Sequence, residues 1–555
     1  MIAAIRLLGN THGLKSSPLR RLERVANRKL RADYIVTPEF ARALTEISSA
    51  IRRQVGVLID RRGHIQSVII GDAKSLFLPD LSEYRRGQDR LCGLRLVHTH
   101  LNGEPLSKDD LTDLALLRLD LVAAIHTGAD GIPGTIYVAH LLPTNGEGRA
   151  WEELPPVPVQ ALKPDFGETI QALEEEFARR HLPRAPGDRR TRAILVHVSE
   201  LPRAVAEASL DELDELARSA GVDVLHRIIQ RRRVDPQFVM GEGRLKQTVI
   251  ESMQRNAEAL VFDLNLTPSQ VASLGNLTDL KILDRTLVIL DIFVQHAVSR
   301  EGILQVELAQ LRYMLPRLGA KQRASAFSRL TGGIGGRGPG ETKLEIDRRR
   351  VQDRIALLER EVAKLGQRRR LRRHMRTLAE LPVVSILGYT NVGKSTLVNQ
   401  LTHSHVPVQD ALFATLNPVS RRLRFPKERE VIVTDTVGFI KNLPPDLLAA
   451  FRATLEELQE ADLFVHVLDA SSPHVGEQYE TVRRMLAELD LDGKPCILAL
   501  NKIDQVDSDT VTGLAARYNA VPLSALDRST LSPLIDAMAA LLWPDETGIM
   551  PSQDY

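Results

Sequence analysis

Eight residues, Gly388-Tyr389-Thr390-Asn391-Val392-Gly393-Lys394-Ser395, have the types and spacing needed to hold a polyphosphate. They match GxxxxGK[ST], follow the apolar run Val383 to Leu387 and open a helical pattern, which is the setting this pattern requires. The glycines let backbone amides wrap phosphate oxygens, and the helix N-terminus adds positive partial charge. Lys394 neutralises the outer phosphates, and Ser395 offers a hydroxyl to Mg²⁺. The bland reading, a glycine turn that merely starts a helix, loses weight with each further motif. Val431 to Thr434 ends in Asp435-Thr436-Val437-Gly438, where a carboxylate can hold a Mg²⁺ water and a glycine amide can meet a terminal phosphate. Asn501-Lys502-Ile503-Asp504 follows the run Cys496 to Leu500. Its carboxylate can accept hydrogen bonds from N1 and N2 of guanine, a donor pair adenine lacks. Ser524-Ala525-Leu526 fits the loop behind that base. Together these elements predict a guanine-specific nucleotide site between Gly388 and Leu526, with GTP as substrate.

The order and spacing of these elements resemble those of translation-factor-class P-loop GTPases. That resemblance places the first switch between the phosphate loop and Asp435. Thr415, in Phe413-Ala414-Thr415-Leu416-Asn417, then becomes the second Mg²⁺ ligand beside Ser395. Lys394, Asn391, Thr415 and Gly438 are the residues expected to act on the reaction. Phe439 follows Gly438, and a benzyl group cannot orient an attacking water as a glutamine does. Slow intrinsic hydrolysis, stimulated by a partner, is therefore expected. Asn391 resembles the asparagine through which some GTPases bind a K⁺ ion that acts as a built-in arginine finger; capping of the loop is the other reading.

These motifs need a parallel sheet to position them, and strands and helices alternate after Leu381 as an α/β domain, expected over 382–545 with a tail at 546–555. Upstream, Ala193 to Val198 and Ala259 to Phe262 read as strands, and Leu210 to Ala220 and Arg244 to Asn256 as helices. They give an α/β subdomain over 191–295. A helical hairpin is expected over 296–381. Val351, Ile355, Leu358, Val362 and Leu365 form its coiled-coil seam, and a glycine-rich loop, Thr331 to Gly340, lies between the helices. Proline and glycine mark 141–190 as a linker. Strand runs at Val55 to Ile59, Gln66 to Ile70 and Thr135 to Ala139, with a helical pattern from Lys108 to Ile125, predict an α+β domain over 1–140. The fold class expected is thus α/β multidomain, without internal repeats.

The 43% apolar and 26% charged residues are those of an ordinary globular protein, and 555 residues suggest several cores. Cys92 and Cys496 are the only cysteines, too few for a disulfide framework and consistent with a reducing compartment. The longest apolar runs fall short of the roughly 20 residues a membrane span needs. The N-terminus lacks a signal-peptide pattern. A cytoplasmic monomer is expected. Net charge is only +2, yet Lys321 to Arg376 holds seventeen Lys and Arg against six Asp and Glu. A solvated helix face explains mixed charge. The run Arg368-Arg369-Arg370-Leu371-Arg372-Arg373 beside a glycine-rich loop instead suits a phosphate backbone, and RNA is weakly favoured over duplex DNA.

Residues from about Arg192 to Ala540 resemble the HflX family of ribosome-associated GTPases. The strings that carry the resemblance are 284–293 (DRTLVILDIF), 300–312 (REGILQVELAQLR), the glycine-rich loop, 388–391, 413–416 and 435–440. It implies GTP hydrolysis with Mg²⁺, binding of the large ribosomal subunit and its rRNA near the peptidyl transferase centre, and splitting or rescue of stalled ribosomes. A ribosome-assembly or RNA-remodelling GTPase is the alternative. Asn417, where the family often has an acidic residue, and Leu526, where a polar or basic one is common, depart from the pattern.

The front end carries a separate chemistry. His98-Thr99-His100 with Ser107 and Asp110 resembles the HxH…SxxD arrangement of JAMM-type metalloproteases and RadC proteins, which implies Zn²⁺ held by two imidazoles and a carboxylate. The spacer is one residue short, and Arg53 precedes Gly56 where a glutamate is expected. A degenerate docking or regulatory domain is therefore favoured over a hydrolase.

Overall fold

The computed structural model describes residues 6–78, 84, 90–128, 130–143, 149–163, 165–180, 190–297, 299–318, 343–377, 381–402, 419–425, 429–436, 438–440 and 456–544. Contacts divide the chain into two compact units. The first is Met1–Leu201 with Leu225–Leu260 and Ser269–Ile282; the second is Pro202–Val224 with Val261–Pro268 and Leu283–Tyr555.

The N-terminal sheet comprises β1 (Arg6–Gly9), β2 (Val55–Asp60), β3 (Ile65–Ile70), β4 (Leu94–His100), β5 (Leu121–Thr127), β6 (Pro133–Leu141), β7 (Trp151–Glu153) and β8 (Val157–Pro158). The order is β1-β3-β2-β4-β5-β6-β7, with β8 also on β6. Its helices are α1 (Ser16–Ala26), α2 (Pro38–Ile51), α3 (Lys108–Leu117) and α4 (Phe166–Arg180). Thr37 caps α2 by accepting from the Phe40 amide, with Pro38 at the first position, and Phe40, Ala41, Leu44 and Ile47 form its buried stripe. Two sequence expectations change here. The helical pattern from Lys108 to Ile125 stops at Arg118, which adopts the left-handed conformation, and the fully buried run that follows becomes β5.

The segment 141–190, expected as a linker, instead completes this domain up to Arg180. β7 and β8 pair with β6, and Phe166, Ile170, Leu173 and Phe177 of α4 enter the core. Each such side chain contributes about 2 kcal/mol on burial. The fully buried Arg95 guanidinium lies over the Phe166 ring at 4.3 Å and donates to the Ile35 and Asp60 carbonyls. Arg61 joins Asp120 and Glu174 of α4 by paired hydrogen bonds of 2.7–3.0 Å. Breaking that triad would strand the buried Asp120 carboxylate. Proline and glycine therefore mark turns within the domain here, not an exit from it.

A second sheet holds β9 (Thr191–Ser199), β10 (Val222–Arg231), β11 (Ala259–Phe262) and β12 (Lys281–Asp284) in the order β10-β9-β11-β12. The helices that follow in sequence are α5 (Arg203–Ser219), α6 (Glu242–Gln254), α7 (Pro268–Leu277) and α8 (Arg285–His296). Next come α9 (Arg300–Met314) and the 35-residue α10 (Lys343–Thr377). Leu304, Leu308 and Leu311 of α9 meet Val351 and Leu358 of α10, flanked by Ile355, Val362 and Leu365. Charged pairs, Arg354 with Glu307 and Arg312 with Glu359, edge the seam. The glycine-rich loop Thr331 to Gly340 lies outside the described residues.

The third sheet contains β13 (Val383–Gly388), β14 (Val419–Arg424), β15 (Glu430–Asp435), β16 (Leu463–Asp469), β17 (Cys496–Asn501) and β18 (Val521–Pro522). The order β14-β15-β13-β16-β17-β18 is parallel except at β14. The helices are α11 (Lys394–Thr402), α12 (Val475–Glu488), α13 (Ser508–Tyr518) and α14 (Ser532–Leu542). Strands buried on both faces read as nearly continuous apolar runs, as β16 does. Among the described residues no helix is long and apolar enough to cross a membrane.

Candidate functional site

The central strand β13 delivers Gly388 to the carboxyl edge of the third sheet, where ligands bind in parallel α/β folds. Gly388 has φ +152°, and a Cβ there would lie 2.5 Å from the Val467 carbonyl oxygen. Gly393 has φ +92°, and its Cβ would meet Asn501 Nδ2 at 2.4 Å. Neither position accepts a side chain without moving backbone or the Asn501 amide. Asn391, at φ 62°, is exposed, and the loop then enters α11 at Lys394.

The Lys394 ammonium is buried and donates to the Tyr389 carbonyl at 2.6 Å. Burial drives its pKa down to about 8, with Asp435 pulling the other way. Asp435 ends β15, and its Oδ2 accepts from Ser395 Oγ at 2.7 Å. A hydroxyl and a carboxylate at this separation fit the shared coordination of a Mg²⁺ ion and its water. A Cβ on Gly438 would approach Lys394 Nζ to 3.0 Å and the Thr390 backbone to 3.0 Å, so only a glycine fits between the ammonium and the loop. Thr436 Oγ1 donates to the Ile386 carbonyl. Phe439 is buried and laced to the loop: its amide donates to the Gly388 carbonyl, and its carbonyl accepts from the Thr390 amide. Its ring is thus turned into the core and away from water.

Asn501 joins both halves of the pocket. Its Nδ2 donates to the Val392 carbonyl at 2.7 Å, and its Oδ1 accepts from the Ala525 amide at 2.8 Å. Asp504 accepts from Ser524 Oγ at 2.6 Å, which orients the carboxylate that would read guanine. Leu526 is 72% exposed, so its departure from a polar residue costs the pocket no packing. Ile503 follows Lys502, which has a left-handed backbone and whose ammonium pairs with Asp469 at 2.7 Å. Asp469 belongs to none of the sequence motifs. The signal for it was its place at the end of β16, in register with Asn501. His466, buried one strand away from the loop and stacked on Tyr479, is held neutral, its pKa lowered to about 3 by burial and then by Lys394. The remaining predicted residues, Phe413, Ala414, Thr415, Leu416, Asn417 and Val437, lie outside the described residues. The others, from Gly388 to Ser395 and at Asp435, Thr436, Gly438, Asn501 to Asp504 and Ser524 to Leu526, gather at one sheet edge.

A phosphate loop, a hydroxyl–carboxylate pair that fits Mg²⁺ and a carboxylate placed where it could read guanine, on a mostly parallel sheet, define a P-loop GTPase. Three family descriptions match consecutive stretches: GTP-binding GTPase N-terminal at 207–294, GTP-binding GTPase middle region at 296–376, and 50S ribosome-binding GTPase at 383–502. The GTPase HflX of Lacrimispora saccharolytica is 42% identical over 352 residues, covering 63% of this chain and 83% of that protein. That of Caldanaerobacter subterraneus is 46% identical over 57% of this chain and 73% of its own length. A GTP-binding protein of Sulfolobus solfataricus, solved with GDP, covers 63% of this chain at 25% identity and a TM-score of 0.34. The chain belongs to the HflX family of GTPases, and it carries a further N-terminal region of its own.

In that region, β4 and the first turn of α3 bring three donors together. His98 Nε2 lies 3.0 Å from His100 Nε2 and 3.2 Å from Asp110 Oδ1, and His100 Nε2 lies 3.5 Å from Asp110 Oδ2. Tetrahedral zinc with ligand bonds of about 2.0–2.1 Å sets its donors roughly 3.4 Å apart, so the three atoms fit one face of such a site. His100 Nδ1 faces the Glu104 carbonyl at 2.9 Å, an outer partner that would leave Nε2 available to a metal. Burial opposes ionisation of Asp110, but hydrogen bonds from His100 and His98 win and hold its pKa well below the usual carboxylate range. Arg53 donates to the Asn10 and His12 carbonyls and supplies no base.

Proposed function

We propose that this GTPase binds the large ribosomal subunit and, in its GTP state, separates the subunits of stalled or idle ribosomes, with hydrolysis permitting release. The observation that carries the reading is one chain in which a guanine-nucleotide site matching the 50S ribosome-binding GTPase description follows directly on a two-helix middle region. Lys394, Ser395, Asp435 and Gly438 bind and polarise the phosphates, Thr415 completes the Mg²⁺ shell, and Asp504 selects guanine. The basic stretch Lys321 to Arg376 meets rRNA phosphates. Sedimentation of intact ribosomes with the protein and a non-hydrolysable GTP analogue tests this. Free subunits should accumulate, and isolated large subunits should raise GTP turnover. Stimulation without separation would favour assembly or RNA remodelling, and neither effect would remove the ribosome from the account.

We infer that Asn391 places a K⁺ ion against the phosphates. Its exposed side chain sits on a left-handed loop residue beside the pocket, and Phe439 offers no compensating polar group. Replacing K⁺ by Na⁺ should then slow hydrolysis about tenfold or more, within the range of a lost charge at a transferring phosphoryl group. Equal turnover in the two salts would leave Asn391 a loop residue only.

The convergence of His98, His100 and Asp110 supports a second reading, that the N-terminal domain holds one Zn²⁺ without hydrolysing a substrate. The metal would tie β4 to α3, since a general base is absent from the position of Arg53. Elemental analysis of the purified full chain should find about one zinc, and Asp110→Asn should weaken binding by about a hundredfold. A folded, GTP-binding sample free of zinc that also fails to take up Co²⁺ in tetrahedral form would end this reading.

A further inference from the structure

Only the backbone of Tyr389 is needed to cradle a phosphate, yet its side chain is buried and its hydroxyl donates to Glu212 Oε1 at 2.6 Å. The same carboxylate oxygen meets Arg285 NH2 at 2.8 Å. Arg285 NH1 lies 2.9 Å from Asp263 Oδ1, and Ser209 Oγ donates to Asp263 Oδ2 at 2.5 Å. Ser209 and Glu212 stand one turn apart on α5, Arg285 is the first residue of α8, and Asp263 follows β11. The Arg285 and Asp263 side chains are 4% and 1% exposed. A guanidinium clamped between two carboxylates in such burial cannot release one without stranding a charge. The Glu212 side chain is 20% exposed, but its partner Arg285 is not, so a shift of this carboxylate bears on the guanidinium at the start of α8.

The other face of Tyr389 belongs to the pocket. Its carbonyl is the acceptor for the Lys394 ammonium. Its flanking peptides are bonded to Phe439, the residue after Gly438, through the Phe439 amide to the Gly388 carbonyl and the Thr390 amide to the Phe439 carbonyl. When phosphates enter, Lys394 must share its donors between that carbonyl and the new oxygens, and Gly438 must present its amide to the terminal phosphate. Both adjustments bear on Tyr389, a loop residue whose side chain is bonded to α5.

We propose that Tyr389 is a positioning residue that couples the state of the bound nucleotide to helices α5 and α8 through Glu212 and Arg285. The coupling rests on the GTPase assignment and is independent of what the protein binds outside itself. By linkage it is reciprocal: whatever holds α8 in one arrangement changes the affinity of the pocket by the same factor.

Hydrogen exchange of the full chain, compared between GDP and a non-hydrolysable GTP analogue, tests it. In the parent protein, amides near Glu212 and from Thr286 to Leu290 should exchange at rates differing about threefold or more between the two nucleotides. Glu212→Gln and Tyr389→Phe should each erase that difference, and the double variant should do no more than either alone. Nucleotide binding by Glu212→Gln reports that it is folded. A merely structural bond would shift exchange equally in both nucleotide states. A parent without the difference, or a difference that survives in either variant, overturns the proposal.

Discussion

Asp504→Asn should weaken GTP and GDP binding about a thousandfold and admit xanthosine triphosphate in their place. The carboxylate is fixed by Ser524 Oγ and has only acceptors to offer, which suits the two donors on the guanine edge. An asparagine keeps one acceptor and presents an NH₂ group toward the guanine amino group, so two donors face each other in a desolvated pocket. Xanthine carries a carbonyl at that position and restores the pairing. Competition titration against a fluorescent guanine nucleotide measures both effects. Retention of GTP affinity within about tenfold would show that the base is read elsewhere.

Removal of the Lys394 ammonium should have an effect of similar size, and it carries a pH signature. Lys394→Met should reduce hydrolysis about a thousandfold or more, as expected for loss of a preorganised cation at a transferring phosphoryl group. In the parent, burial lowers the Lys394 pKa to about 8 from 10.5 when the pocket is empty. Phosphates favour the charged form, so nucleotide affinity should be flat below pH 8. Above that it should fall by up to about tenfold per unit, because binding must then take up a proton. The stability of the nucleotide-free protein moves the opposite way. Between pH 8 and 10.5 the unfolded chain keeps a proton on this lysine that the folded chain has lost. The contribution of Lys394 to stability therefore rises through that window, by on the order of 3 kcal/mol relative to Lys394→Met. Calorimetric titration with GDP and thermal melts of the two proteins from pH 7 to pH 10 would read both slopes. Parallel slopes in parent and variant would mean that Lys394 stays charged throughout.

The nucleotide site was legible because its chemistry is local. The phosphate loop is eight consecutive residues, and Asp435, Asn501 and Asp504 each follow an apolar run that could only be a buried strand. The hairpin seam was legible for a similar reason, since Val351 to Leu365 repeats with helical spacing. Pairings that join distant residues were not. Trp151–Glu153 and Val157–Pro158 are only three and two residues long and flank the Pro155-Pro156 pair, so they do not announce strands, and it is pairing with β6 that draws them into the sheet. The pattern from Lys108 to Ile125 has apolar residues on both sides of Arg118 and Asp120, and two isolated charges fit the exposed face of a continuing helix, so periodicity alone gave no stop at Arg118. Tyr389 and Glu212 stand 177 residues apart, and neither residue type signals the other. His98, His100 and Asp110 were found from spacing. That their donor atoms converge depends on the capping box that sets Asp110 at the first turn of α3.

Asn501 gives the pocket a property that neither of its halves has alone. One buried amide group bonds the phosphate loop at Val392 and the base loop at Ala525, so the two loops are tied to each other through Asn501. Once one fragment, guanosine or pyrophosphate, has ordered its own loop, that tie has already ordered part of the other. Two such fragments should bind with positive cooperativity, and an inhibitor that joins them gains more than the sum of its parts.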